Sequence, residues 1–175
     1  SMEADFAPLE DVIEVAQDNG ALIYLDEVHA VGLYGPNAAG VAEEKGVAEH
    51  IDIINGTLAK AFGLAGGYIA SSNTIIDFVR SFSKGFIFTT SMCPAVAAGS
   101  LESIQQVKKS TQVRETFFEN VNYVKSHLRS AGIPFLDSGS HIIPVLIGDS
   151  KLCKHISAFL LDEHQVSVPP INYRP

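Results

Sequence analysis

The feature that most constrains the fold is a set of short apolar runs that end in polar residues. Residues 21–25 (Ala-Leu-Ile-Tyr-Leu) are apolar on both faces and run directly into Asp26. Residues 51–54 (Ile-Asp-Ile-Ile) end in the same way at residues 55–57 (Asn-Gly-Thr). A short run that is apolar on both faces is typical of a strand buried within a parallel sheet. The two runs therefore predict neighbouring strands of an α/β fold.

Helical segments alternate with these strands. Helices are predicted, largely from apolar residues at three- and four-residue spacing, at 8–16, 74–83, 113–128 and 149–160, and Pro94 opens another. Further strands are predicted at 66–70, 86–89, 141–147 and 166–168. The alternation predicts α/β architecture. A change in pattern near residue 110 predicts a first unit over residues 1–109 and a second, α+β unit over residues 110–175.

Composition excludes several classes of protein. The 175 residues are 46% hydrophobic and 18% charged, which is too apolar for a disordered chain. The net charge of −8 argues against nucleic-acid binding, which needs clustered Lys and Arg. No apolar run approaches the roughly 18 residues of a membrane span. The two cysteines, Cys93 and Cys153, predict neither a metal site nor a disulfide scaffold but a reduced, intracellular protein.

Polar residues gather where the predicted strands end, which is where open α/β sheets bind ligands. Asp26 and His29 follow the first strand, and Thr57 and Lys60 follow the second. Lys60 has two interpretations. It is either a surface lysine whose stem covers apolar neighbours, or a buried, neutral amine that can form a Schiff base with a carbonyl.

Asp26 also has two interpretations. It either caps a turn or faces the pyridinium nitrogen of pyridoxal phosphate. His29 by itself is more often structural, and no His or Cys cluster completes a metal site around it. The hydroxyl groups that could surround a phosphate are those of Thr57, Thr89, Thr90 and Ser91. Taken together, these residues favour a site for pyridoxal phosphate.

Five stretches of the sequence resemble a known family. They are Asp-Glu-Val-His-Ala-Val-Gly-Leu-Tyr-Gly (26–35), Asn-Gly-Thr-Leu-Ala-Lys-Ala-Phe-Gly (55–63), Gly-Phe-Ile-Phe-Thr-Thr-Ser (85–91), Gly-Ser-His-Ile-Ile-Pro-Val (139–145) and Pro-Ile-Asn-Tyr (170–173). They resemble the α-oxoamine synthases, a branch of the fold-type I pyridoxal-phosphate enzymes, and within it the 5-aminolevulinate synthases. The resemblance implies part of a large domain, with a mostly parallel sheet and helices on both faces, and part of an α+β small domain.

The resemblance also implies a reaction, in which glycine condenses with succinyl-CoA to give 5-aminolevulinate, CoA and CO2. It makes Lys60 the Schiff-base lysine and proton carrier, Asp26 the partner of the ring nitrogen and His29 the contact to the ring hydroxyl. Thr57 matches a phosphate contact. Thr89 and Thr90 match phosphate contacts given by the second subunit of a homodimer, and Ser1 matches a further cofactor contact. No metal is implied.

Some features depart from this pattern. Sibling enzymes commonly have Asp where this chain has Glu27, and Pro169 and Arg174 are unexpected beside Pro-Ile-Asn-Tyr. The family's ring-stacking residue, its glycine-rich phosphate turn and its later carboxylate-binding residues have no counterpart here. The chain is therefore expected to be an internal fragment that is inactive alone.

Two functional alternatives stay open at this stage. One is a sibling synthase of the 2-amino-3-ketobutyrate CoA ligase or 8-amino-7-oxononanoate synthase type. Another is a non-catalytic fragment that keeps the fold. The expected location is the bacterial cytoplasm, with the mitochondrial matrix as the alternative, because the family occurs in both.

Overall fold

The structure is a computed structural model that describes residues 4–172. Its helices are α1 (Leu9–Asp18), α2 (Val41–Lys45), α3 (Asn73–Phe82), α4 (Lys84–Ile87), α5 (Pro94–Lys109), α6 (Thr111–Ser130) and α7 (Ser150–His164), with a 3-10 turn at Ala48–His50. Its strands are β1 (Tyr24–Asp26), β2 (Ile53–Thr57) and β3 (Gly67–Ser71). Contacts divide the chain into two compact units, residues 7–120 and residues 121 onward with the segment that ends at Phe6. The division into parts of a large and a small domain at residues 109 and 110 stays a prediction.

The unit of residues 7–120 is built on a mixed sheet with strand order β1-β2-β3. β1 pairs with β2 in parallel, and Asp26 lies opposite Asn55. β2 pairs with β3 antiparallel, from Ile53 opposite Ser71 to Thr57 opposite Gly67. The described strands are therefore less parallel than expected, because no crossover helix separates β2 from β3. The parallel pair places the ends of β1 and β2 at one edge of the sheet.

Two apolar clusters stabilise this unit. The larger one joins α1, β1 and the segment that leads into α2, and its buried members are Leu9, Ile13, Ala16, Ile23, Ala30, Tyr34, Val41 and Ala42. The smaller one consists of Val31, Leu58 and Phe62. Helix α1 ends just before Asn19 and Gly20, as predicted. The clusters cover the segments on both sides of the strand ends, so those ends are held firmly by packing.

The strand predicted at residues 86–89 is wrong. Residues 84–87 form helix α4, and the amides of Phe86 and Ile87 donate to the carbonyl of Ser83 at 3.0 and 2.9 Å. Aromatic and β-branched residues favour strands only when a neighbouring strand can pair with them. No strand pairs with this segment in the described residues, so local helical hydrogen bonds satisfy its backbone instead.

The unit that contains residues 121–172 has helices but no regular strand among the residues the structure describes. Asp149 caps α7 by accepting the Leu152 N–H at 2.7 Å, which confirms the predicted helix start. The strands predicted at 141–147 and 166–168 are wrong. The first is reduced to a single bridge between Phe135 and Val145, because Pro144 has no N–H to donate to a longer ladder.

A buried lysine organises the segment that follows α6. Lys125 is 5% exposed, and its ammonium group donates to Asp137 at 3.0 Å and to the Ser140 carbonyl at 2.6 Å. Arg129 forms a second ion pair with Asp137. These hydrogen bonds, with the ion pairs, lower the pKa of the Asp137 carboxyl. No helix within residues 4–172 combines the length and apolarity needed to cross a membrane.

Candidate active site

Asp26 lies at the end of β1, at the sheet edge where the ligand crevice was predicted. Its Oδ1 accepts the backbone N–H of Val28 at 2.9 Å. This bond shapes the turn that begins at Glu27 and carries His29. The Asp26 side chain is exposed, so the turn-forming and the ligand-facing interpretations of this residue are compatible.

Thr57 and Lys60 lie on the connection from β2 to β3. The Thr57 hydroxyl accepts the Ala59 N–H at 3.1 Å and donates to the Gly66 carbonyl at 3.2 Å, so it helps to close this connection. Leu58 and Phe62 are buried on either side of Lys60, whose own side chain is exposed. Within residues 4–172 the Lys60 amine has no ion-pair partner. The structure therefore presents this amine to solvent on a loop that is anchored at both ends.

His29 and Lys60 line the same cavity, which has a volume of about 580 Å³. Partial burial of His29, followed by the positive charge of Lys60, lowers the pKa of the imidazole, whereas Asp26 opposes this shift. Lys60 and Asp26 therefore each influence the imidazole of His29. The structure brings His29 and Lys60 to one cavity, which Asp26 does not itself line. The roles expected of the three residues stay predictions.

Other predicted site residues lie apart from this group. Thr89 and Thr90 are exposed beyond the end of α4, and neither lines the cavity that holds His29 and Lys60. Ser1 lies outside the described residues. Among those described residues, no group of three or more His, Cys, Asp or Glu side chains is arranged to hold a metal.

Glu27 is a site-supporting residue whose role the sequence did not reveal. Its side chain is 3% exposed, and its carboxylate accepts the N–H groups of Val41 and Ala42 at 3.1 and 2.7 Å. These are the first residues of α2, whose N-cap, Gly40, has no side chain to cap the helix. A glycine at that position was the one local sign that a distant acceptor was needed. Burial raises the pKa of the Glu27 carboxyl, although the two N–H groups oppose the shift.

Gly32 brings the loop of residues 29–40, the His29 loop, against the connection from β2 to β3 that contains Lys60, the Lys60 segment. Its φ of +87° favours glycine, and a Cβ at this position would lie 2.4 Å from the Ala61 Cβ. No larger residue fits without moving one of the two segments. The close approach between Gly32 and Ala61 therefore fixes the distance between the two parts of the site.

The profile of the family "Aminotransferase class I and II" matches residues 1–174. The chain belongs to this family. The chain is similar to the 5-aminolevulinate synthase 2 of Cereibacter sphaeroides, at 49% identity, and to the mitochondrial 5-aminolevulinate synthase of Schizosaccharomyces pombe, at 47%. Each alignment covers 99% of this chain, but only 42% and 31% of the respective relative. The chain thus spans less than half the length of these relatives.

Solved structures support the same assignment. Serine palmitoyltransferase from S. paucimobilis with a bound PLP-myriocin aldimine matches with a TM-score of 0.87 at 32% identity, over 93% of this chain and 43% of that one. The 8-amino-7-oxononanoate synthase of Francisella tularensis matches with a TM-score of 0.79 at 18% identity, over 93% of this chain and 49% of that one, and shows the fold alone. These matches confirm the predicted fold-type I α/β class.

The two glutamates that hold the His29 loop give opposite pH dependences of stability. The pKa of Glu27 is raised above its ordinary value of 4.5, so its contribution is complete below pH 4.5 and is lost as the pH rises through the raised pKa. Although burial opposes ionisation of Glu43, hydrogen bonds from Asn37 and Ala39 lower its pKa below 4.5. Its contribution is therefore present above pH 4.5 and is lost as the pH falls.

We predict that Glu27→Gln lowers the free energy of unfolding by about 1–3 kcal/mol, because the amide leaves a buried N–H unpaired. This loss should be largest near pH ~4 and smaller near pH ~7, whereas the loss in the matched variant Glu43→Gln should follow the reverse order. Urea unfolding of the full-length protein at both pH values measures these losses. Equal losses for Glu27→Gln at the two pH values would contradict the proposed burial effect.

We also predict that the pKa of His29 responds to the charges of Lys60 and Asp26. Lys60→Met should raise the pKa of His29 by removing a positive charge, and Asp26→Asn should lower it by removing a negative one. Lys45→Met removes an exposed lysine that is not among the charges acting on His29, so it should leave the midpoint unchanged. NMR titration of the imidazole Cε1–H, assigned with His29→Gln, measures the shift. An unchanged midpoint in Lys60→Met would show that the two groups do not interact.

Proposed function

We propose that the chain is part of a 5-aminolevulinate synthase, which condenses glycine with succinyl-CoA to give 5-aminolevulinate, CoA and CO2. The observation that carries this proposal is that His29 and Lys60 line one cavity beyond the paired ends of β1 and β2, where Asp26 ends β1 and acts on the His29 imidazole. The 49% identity to 5-aminolevulinate synthases across 99% of the chain supports the choice of reaction.

The described residues fit pyridoxal phosphate. The Lys60 amine is exposed and has no ion-pair partner within residues 4–172, so it is available to the cofactor's carbonyl group. Asp26 presents a carboxylate that can hold a ring nitrogen in its protonated form, and His29 can contact the ring hydroxyl. The bound cofactor supplies an electron sink for negative charge that develops beside the substrate amino group.

The chain's own residues provide proton transfer and contacts to the cofactor's ring and phosphate. Lys60 can take and return a proton at the substrate α-carbon. Asp26 would hold a proton on the ring nitrogen, and the neutral imidazole of His29 would accept or donate a hydrogen bond without adding charge. Thr57 can turn its hydroxyl from the Gly66 carbonyl to a phosphate oxygen.

Thr89 and Thr90 support a homodimer with its active site at the interface. Both are exposed and lie away from the cavity of Lys60, so we propose that they hold the phosphate in a partner's site. The neighbouring side chains Phe86 and Phe88 are 52% and 84% exposed. Exposed aromatic side chains on this scale are typical of an interaction surface. Ser1 is proposed as a further cofactor contact.

A sibling synthase is the second candidate. The serine palmitoyltransferase structures are 32% identical to the chain, so another amino acid or acyl-CoA is chemically compatible with the same three residues. The higher identity to 5-aminolevulinate synthases favours glycine and succinyl-CoA. For the location, bacterial relatives favour the cytoplasm, and the yeast relative keeps the mitochondrial matrix as the alternative.

The decisive experiment maps the cofactor to a single lysine. The full-length protein is mixed with pyridoxal phosphate, reduced with borohydride and digested for mass spectrometry. We predict that the label lies on Lys60, is lost in Lys60→Ala and is kept in Lys45→Ala, which removes another exposed lysine. Turnover of glycine with succinyl-CoA should fall in Lys60→Ala by about 10²–10⁴-fold or more, as expected for loss of a proton-transferring group.

Two outcomes would contradict the proposal. Label scattered over many lysines would mean that Lys60 is not the cofactor lysine. Faster turnover of serine with a long-chain acyl-CoA than of glycine with succinyl-CoA would instead favour the sibling function.

A further inference from the structure

One face of α6 binds the loop that follows His29 through hydrogen bonds and a ring contact. The guanidinium of Arg114 donates to the Gly35 carbonyl at 2.6 Å and to the Pro36 carbonyl at 3.1 Å. One turn later, the Phe118 ring packs edge-on against Tyr34, with ring centroids 5.5 Å apart. Residues four apart lie on the same face of a helix. Arg114 and Phe118 therefore hold three consecutive loop residues, 34–36, from a segment almost 80 residues later in the chain.

The bonding pattern explains why this position needs an arginine. Both terminal nitrogens of Arg114 donate to carbonyls, one to Gly35 and one to Pro36. The planar guanidinium holds these two donors in a fixed geometry that the single ammonium group of a lysine does not provide. The Nε of Arg114 is buried and has no hydrogen-bond partner among the described residues. Leaving a buried donor unpaired is unfavourable, so the two carbonyl bonds must offset that cost to keep the side chain in place.

The loop connects the Arg114 contacts to His29 and to the segment that contains Lys60. Its ends are tied together by hydrogen bonds from the Gly32 amide to the Ala38 carbonyl at 2.8 Å and from the Gly40 amide to the Tyr34 carbonyl at 3.1 Å. Gly32 abuts Ala61, which directly follows Lys60. His29 lies at the start of the same loop.

We propose that Arg114 is a positioning residue, which fixes the 29–40 loop so that His29 and the Lys60 segment keep their places around one cavity. Arg114 also lines that cavity. Its two hydrogen bonds to carbonyls hold the loop in place. Gly32 of that loop packs against Ala61, the residue next to Lys60, so the position of the loop limits where Lys60 can lie. The anchoring of the loop stands on contacts alone, while its effect on the reactivity of Lys60 rests on the proposed function.

The first test measures the anchoring directly, without cofactor. Hydrogen exchange at the amides of Gly32, Ala38 and Gly40 is compared in the full-length protein and its variants. Arg114→Met should speed this exchange by roughly 10- to 100-fold, as expected for the loss of hydrogen bonds from a charged donor. Arg114→Lys should give a smaller increase. Gln112→Met, an exposed change on the same helix, should give none.

The second test asks whether the anchor controls the lysine. Borohydride trapping of pyridoxal phosphate on Lys60 is followed against cofactor concentration, and the half-saturating concentration reports how well the site is positioned. Arg114→Met should raise that concentration by roughly 10-fold or more, while Gln112→Met should leave it unchanged. Phe118→Leu, which removes the ring contact to Tyr34 and keeps the arginine, should raise it by less.

The outcomes separate the two proposals. Wild-type exchange in Arg114→Met would overturn the anchoring. Faster exchange with an unchanged half-saturating concentration of pyridoxal phosphate would overturn the role of Arg114 in positioning Lys60. If Arg114→Met does not fold, Arg114→Lys and Phe118→Leu decide by the same two measurements. Failure of the unmodified protein to trap the cofactor on Lys60 would contradict the proposed function, and the exchange comparison would still decide whether Arg114 anchors the loop.

Discussion

The arrangement of the site depends on Glu27, whose amide, carbonyl and carboxylate each form hydrogen bonds with a different part of the chain. Its amide donates to the Asn55 carbonyl at 2.9 Å and so extends the pairing of β1 with β2. Its own carbonyl accepts the amides of Ala30 and Val31, which forms the turn around His29. Its buried carboxylate bonds the first turn of α2. A carboxylate is costly to bury, and the two N–H groups offset part of that cost. One residue therefore connects the strand end, the histidine turn and the helix that closes the loop.

Two glycines make this connection sterically possible. A Cβ on Gly40 would lie 2.7 Å from the carboxyl carbon of Glu27, and a Cβ on Gly32 would overlap Ala61. Both glycines also have positive φ, which larger residues adopt at a cost. The loop can therefore close onto Glu27 at one end and onto the Lys60 segment at the other. Its geometry follows from the absence of side chains at these two points as much as from the bonds it makes.

The sequence predicted the local parts of this arrangement and missed the long-range ones. Strands β1, β2 and β3 were predictable from short, largely apolar runs, and the amphipathic helices from apolar residues at three- and four-residue spacing. The strand predicted at 86–89 failed because its partner strand, which a sequence pattern cannot supply, is absent from the described residues. Asp26, His29 and Lys60 are candidates because each lies at or just after a strand end, and their roles stay predictions. The roles of Glu27 and Arg114 were not, since each depends on contacts with residues that are 14 to 79 positions away.

The electrostatics of the cavity follow from which charges are exposed. His29, Lys60 and Arg114 line it, and no acidic side chain of residues 4–172 is among the lining residues. Asp26 and Lys60 are exposed, and charges in contact with water interact weakly because water screens them. A planar ligand that covers these groups displaces that water and strengthens each interaction by lowering the local dielectric. Asp26, which does not itself line the cavity, would then act on a ring nitrogen more strongly than it acts on the solvent-exposed His29. The same covering would hold the imidazole neutral beside the lysine, because burial disfavours a second positive charge there.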